Sequence, residues 1–167
     1  ERLEKVLQEP SGRPPKAHEI VKSLLQGLAK AIPLIHVLSQ KRELPLDPTI
    51  SQFRTDPDIR AVIDYGIDPE LMEDVAQSMD STAQDVERAV TRLSLDSRLL
   101  PTDEIEQVEA CPISKLEVLL EEPSLCGILE DMEATFSAYI ARLKDDGYRA
   151  QRHLAEANLR LVVSVGK

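Results

Sequence analysis

Apolar residues recur along this chain every three to four positions, and eleven prolines cut that pattern into short pieces. A three-to-four repeat puts apolar side chains on one side of a helix, whereas a strand facing solvent on one side needs strict alternation. No stretch alternates over strand length with β-branched enrichment. The spacing therefore predicts an all-α fold, an irregular bundle of about seven to nine short helices. Only 3% of residues are aromatic against 42% apolar, so Leu, Ile, Val and Ala must fill the interior. The same scarcity argues against a base-stacking platform, which needs Phe, Tyr or Trp.

The prolines and capping residues predict where helices begin and end. Glu1 to Gln8 reads as a short amphipathic segment, broken from Glu9 to Pro15 by prolines and a glycine. Ala17 to Ala31 carries Ile20, Val21, Leu24, Leu25 and Leu28 at helical spacing, and Pro33 kinks or restarts the helix, which continues to Gln40. Glu43 to Asp56, with Pro45 and Pro48, reads as a linker and an internal boundary. Asp56-Pro57 and Asp68-Pro69 each look like an N-cap followed by proline in the first turn, predicting helices from Asp58 to Tyr65 and from Glu70 to Met79. Thr82 with Asp85 opens a helix to about Leu95. Pro101 to Glu104 opens another, and Ser114 with Glu117 forms a Ser-x-x-Glu box leading to Leu120. Beyond Pro123, a helix is expected from Leu125 to Leu143, then a turn at Asp145-Asp146-Gly147 and a terminal helix.

Charge is unevenly placed. The net charge is -10, yet Ala141 to Lys167 carries +3 and the preceding residues -13. An acidic body repels phosphate backbones. Thr102 to Glu133 holds ten acidic residues and a single basic one, Lys115. That stretch reads as a solvated face, or as a docking surface for a basic partner. Val75 to Val90 has the outline of a helix-turn-helix: Val75, Ala76 and Met79 pack against Val86 and Val90, with Asp80 taking the left-handed position of the turn. Its exposed residues would be Gln84, Asp85, Glu87 and Arg88, and Asp68 to Leu100 carries -5. A groove-reading helix needs the opposite sign, which favours a structural hairpin over a repressor.

Signals for catalysis are absent. His18, His36 and His153 are scattered, and no paired-histidine or paired-cysteine metal spacing, phosphate loop or nucleophile elbow occurs. Neither an enzyme nor a cofactor nor a metal site is expected. Cys111 and Cys126 read as reduced thiols in a cytoplasmic protein, and no apolar run reaches the roughly 18 residues that cross a membrane.

The final residues carry the sharpest signal. Leu154, Ala157, Leu161 and Val165 share one helix face, Leu159, Val162 and Val163 widen it, and Arg160 and Ser164 lie off it. The stripe still runs where the sequence stops, which, with Glu1 in first position, predicts an excised piece of a longer protein. The string Leu154-Ala-Glu-Ala-Asn-Leu-Arg-Leu-Val-Val-Ser-Val165 resembles the opening of conserved region two in the primary, housekeeping sigma factors of bacterial RNA polymerase. A looser likeness extends back to Ala141, so that it covers roughly a sixth of the chain. Glu156 to Leu161 is its specific core, because a plain amphipathic helix has no reason to place Asn158 between apolar neighbours. Gly166 departs from the family, which has Ala there, at a cost of about 1 kcal/mol in a helix interior.

The resemblance implies a division into residues 1–140, an acidic variable helical segment, and 141–167, the start of region two. It implies core RNA polymerase as partner, and promoter DNA as partner of the full-length protein only. In the family the matching Asn, with the Leu three positions on, helps line a pocket for a base flipped out of the non-template strand; these positions are Asn158 and Leu161. Arg160 would meet a phosphate or an intramolecular acid. The alternative is an acidic α-helical interaction module whose terminal helix adds to a partner's bundle.

Overall fold

A computed structural model of the chain describes residues 14–64, 68–101 and 104–165, with side chains through residue 160. The expected segment Glu1 to Gln8, most of the proline break after it, the Pro101 to Glu104 opening in part, and Gly166 lie outside the described residues. Ten α-helices and one 3-10 turn follow, with no strand among the described residues. They are α1 (Ala17–Lys30), α2 (Ile32–Arg42), α3 (Ile50–Thr55), α4 (Pro57–Asp64), α5 (Pro69–Ser78), α6 (Ala83–Leu99), α7 (Glu106–Glu109), the 3-10 turn Ile113–Lys115, α8 (Leu116–Glu121), α9 (Pro123–Asp131) and α10 (Glu133–Val165). The all-α fold is as the spacing predicts.

Helix α1 is the centre of the bundle. All five apolar positions named from its periodicity, Ile20, Val21, Leu24, Leu25 and Leu28, are buried. It packs against α6, α8, α9 and α10. Gly27 lies at the α6 crossing, where a Cβ would come 2.5 Å from Asp96 Oδ2, so a larger residue here would have to push the Asp96 carboxylate aside. Pro33 restarts the helix as expected: α1 and α2 meet at Ala31 with a bend of 49°. The apolar residues of this bent pair form the core, and no single helix among the described residues is long and apolar enough to span a bilayer.

Two helices end on left-handed residues that are not glycine. Glu43 (φ 53°) closes α2 while Leu44 N–H donates to Ser39 O at 2.9 Å. Asp80 (φ 50°) closes α5 while Ser81 N–H donates to Ala76 O at 2.9 Å. Such a residue is strained by about 1 kcal/mol or more, and the carbonyls satisfied by each six-residue closure offset it. Asp80 is the residue the sequence places in this role. The N-terminal caps also form as read: Asp56 Oδ1 accepts from Asp58 and Ile59 N–H at 2.9 and 3.2 Å, Asp68 Oδ1 from Glu70 N–H at 3.2 Å, and Thr82 Oγ1 from Asp85 N–H at 3.2 Å.

Four expectations need correction. The stretch read as a linker, Glu43 to Asp56, contains α3, opened by a reciprocal Thr49–Gln52 box at 3.0 and 3.2 Å. Its Ile50 and Phe53 are buried in the same core as α1. Ser114 does not cap a helix: its N–H and Oγ donate to Asp47 at 3.0 and 2.9 Å. This ties the proline-rich stretch to the 3-10 turn, beside Ile50 N–H to Cys111 O and Ile113 N–H to Pro48 O, both 3.0 Å. The helix expected from Leu125 to Leu143 is interrupted at Met132, where α9 ends and α10 begins. Finally, Asp145-Asp146-Gly147 is not a turn, because α10 runs through it for 33 residues. One glycine costs a helix about 1 kcal/mol, and the Asp145–Arg149 ion pair at 2.6 Å spans the site on the exposed surface.

Candidate functional site

Helix α10 is two structures in one. Its first turns belong to the bundle: Phe136 is fully buried and Ile140 packs against the core. From Lys144 to Arg160 every residue is exposed. At 1.5 Å per residue the whole helix is about 50 Å long, so its distal half stands off the bundle as an arm. The arm continues the register of the buried part, with Phe136, Ile140, Leu143, Gly147, Ala150, Leu154 and Ala157 following one another at three or four residues. A face that is core at one end is thus bare at the other. Leu154 and Leu159 are 65% and 66% exposed, and Tyr148 67%.

Glu133 fixes the root of the arm. Its carboxylate accepts from the Ala17 and His18 N–H groups at 2.9 and 2.8 Å, and lies 2.7 Å from His18 Nδ1. The first N–H groups of a helix have no intrahelical partner, so the first residue of α10 caps the first turn of α1. Partial burial pushes the Glu133 carboxyl up, but the hydrogen bonds from His18 and Ala17 outweigh it and leave the group below the usual carboxylate range. A shallow groove of about 470 Å³ opens nearby, lined by Pro101, Glu104, Thr135, Ala138, Tyr139 and Arg142. The Arg142 guanidinium sits 5.6 Å above the Tyr139 ring there.

The three residues singled out by the resemblance all fall on the arm. Asn158 and Arg160 are exposed, and Leu161 continues the same unbroken helix, its side chain outside the described residues. Asn158 and Leu161, three apart, share a face, while Arg160 lies about 200° around the helix from Asn158. The arm therefore presents an amide and an apolar ridge on one side and a guanidinium on the other.

The α5–α6 hairpin forms with the packing expected of it. Val75, Ala76, Val86 and Val90 are buried, Met79 is half-buried, and Gln84, Asp85, Glu87 and Arg88 are exposed. Arg88 is engaged with Asp85 at 3.3 Å, which leaves the outer face acidic.

A charge network that sequence reading missed lies where α4 meets α6. Asp64, 5% exposed at its side chain, takes both Arg60, one turn back, and Arg98. Arg60 Nε donates to Asp64 Oδ2 at 2.8 Å, Ser94 Oγ to Asp64 Oδ1 at 2.7 Å, and Arg60 Nη1 to the buried Ser97 Oγ at 2.8 Å. Burial pushes the Asp64 carboxyl up, but hydrogen bonds from Arg98, Ser94 and Arg60 outweigh it and hold it down to about 2. The available signals were Arg60 and Asp64 at i, i+4 and a serine every third residue at Ser94 and Ser97. Every member of the network is engaged, and the bonds run from α4 to α6, so its work is to join two helices.

Among the described residues no group of three His, Cys, Asp or Glu side chains is placed to hold a metal ion. Cys111 and Cys126 are both free thiols. Compared with protein-family models, with curated proteins and with solved structures, the chain matches none.

Proposed function

We propose that this chain is part of a primary-type bacterial sigma factor, a promoter-recognition subunit for core RNA polymerase. Residues 1–140 are an acidic helical segment and Ala141 onward is the opening of region two. One observation carries the reading: the Glu156 to Leu161 string that resembles the family stands on an exposed helix, with Asn158 uncovered. An amide in that position can hydrogen-bond a base edge while Leu161 packs beside it; extruding the base costs a few kcal/mol, which these contacts must offset. The acidic body, carrying -13 before Ala141, keeps stray DNA away from the bundle and leaves the arm as the place of contact.

The test is reconstitution. The protein that carries this chain is expected to co-elute with core bacterial RNA polymerase and to support promoter-dependent initiation. Asn158→Ala is expected to lower open-complex formation about tenfold, the effect of one good amide–base contact, with core binding unchanged. Failure to co-elute, or full activity of the variant, overturns the reading. An acidic adaptor is the second reading, favoured by the exposed Tyr148, Leu154 and Leu159. It expects no affinity for core polymerase.

A further inference from the structure

The two thiols sit in opposite surroundings. Cys111 is buried and donates to the Pro112 carbonyl at 3.3 Å. Burial, with the Asp47 charge, pushes its thiol up, which keeps it protonated and a poor nucleophile. Cys126 on α9 is half-buried and faces a primary amine, with Lys22 Nζ of α1 donating to its Sγ at 3.4 Å. The two residues are 104 apart in sequence, so this contact spans the fold. An amine within van der Waals reach of a sulfur that solvent can approach is the geometry for trapping an oxidised cysteine.

We propose that Lys22 and Cys126 form a covalent cross-link between α1 and α9 when the protein meets hydrogen peroxide. The Cys126 sulfur attacks a peroxide oxygen. An S–O bond forms, the O–O bond breaks, and the second oxygen leaves as water with the thiol proton. Sulfur is oxidised by two electrons to a sulfenic acid, and the peroxide is reduced by the same two. Sulfenic acids condense with thiols or with nitrogen, and Lys22 is the nitrogen at hand. Having released its extra proton to solvent, the amine attacks sulfur; the S–N bond forms, the S–O bond breaks, and the oxygen leaves as a second water. In sum, one thiol, one ammonium and one peroxide give one sulfenamide, two waters and one proton. The link pins the central helix of the bundle to α9, and thiol reductants reverse it.

The experiment uses the full 167-residue chain, treated with one equivalent of peroxide and measured by intact mass and non-reduced tryptic mapping. The expected product is lighter by about 2 Da, the two hydrogens lost on S–N bond formation. It contains a peptide joining Lys22 to Cys126, lacks trypsin cleavage at Lys22, and reverts with dithiothreitol. Cys111→Ser keeps the product; Lys22→Arg, which retains the charge without a primary amine, abolishes it. The cross-linked protein melts at a higher temperature than the reduced one. A disulfide between Cys111 and Cys126 as the sole product overturns the proposal, as does oxygen added at Cys126 of the native chain without a link to Lys22. Because mapping the native chain decides the matter, misfolding of a variant does not blur it.

Discussion

The bundle and the arm are built from the same sequence pattern and reach opposite ends. In the bundle, apolar residues at three-to-four spacing meet those of other helices: Leu25 and Leu28 of α1 are fully buried, as are Leu116 of α8 and Phe136 of α10. In the arm the same spacing meets solvent, and Leu154 stays 65% exposed. Periodicity specifies which side of a helix is apolar; it does not specify what covers that side. Within one helix, Phe136 and Leu154 separate the two quantities.

That contrast is sharpest at Phe136. Phe136→Ala is expected to cost about 3–5 kcal/mol, since it removes a ring from a site with no solvent exposure and leaves a cavity; urea denaturation measures it. A cost under 1 kcal/mol would mean that the root of the arm is not part of the core. The Asp64 network comes next. Its carboxyl falls from 3.8 to about 2 on folding, so it adds stability that is fully present above about pH 4 and is lost as pH falls towards 2. The difference in unfolding free energy between native protein and Asp64→Asn should therefore shrink by about 2 kcal/mol across that window. A difference independent of pH would remove the network from the account. The smallest effect belongs to the arm: Leu154→Ala should change global stability by less than about 0.5 kcal/mol. A large loss there would mean that the arm already has a partner, such as a second copy.

Much of the bundle was legible. The α1 stripe, the restart at Pro33, the caps at Asp56, Asp68 and Thr82, and the left-handed Asp80 each follow from a local rule acting on neighbouring residues. What escaped is non-local. Asp47 and Ser114 are 67 residues apart, and nothing near Ser114 shows that its hydroxyl serves a loop rather than its own helix. The short helix α3 was hidden by prolines, although Thr49 and Gln52 carried a readable box. Asp145-Asp146-Gly147 misled because turn-forming residues also tolerate a helix when the flanking turns hold. As for the candidate site, Asn158, Arg160 and Leu161 were named from sequence. Their place on a free-standing helix required knowing where the bundle stops, at Leu143.

The Glu133 cap has a consequence for how the protein is made. A ribosome releases the amino end first, so α1 emerges with the N–H groups of Ala17 and His18 turned to water. The carboxylate that receives them follows 116 and 115 residues later. Closure over such a separation is slow compared with forming a local turn. The cap of the central helix is thus closed late, by a residue synthesised after α6, α8 and α9, three of the four helices that pack across it.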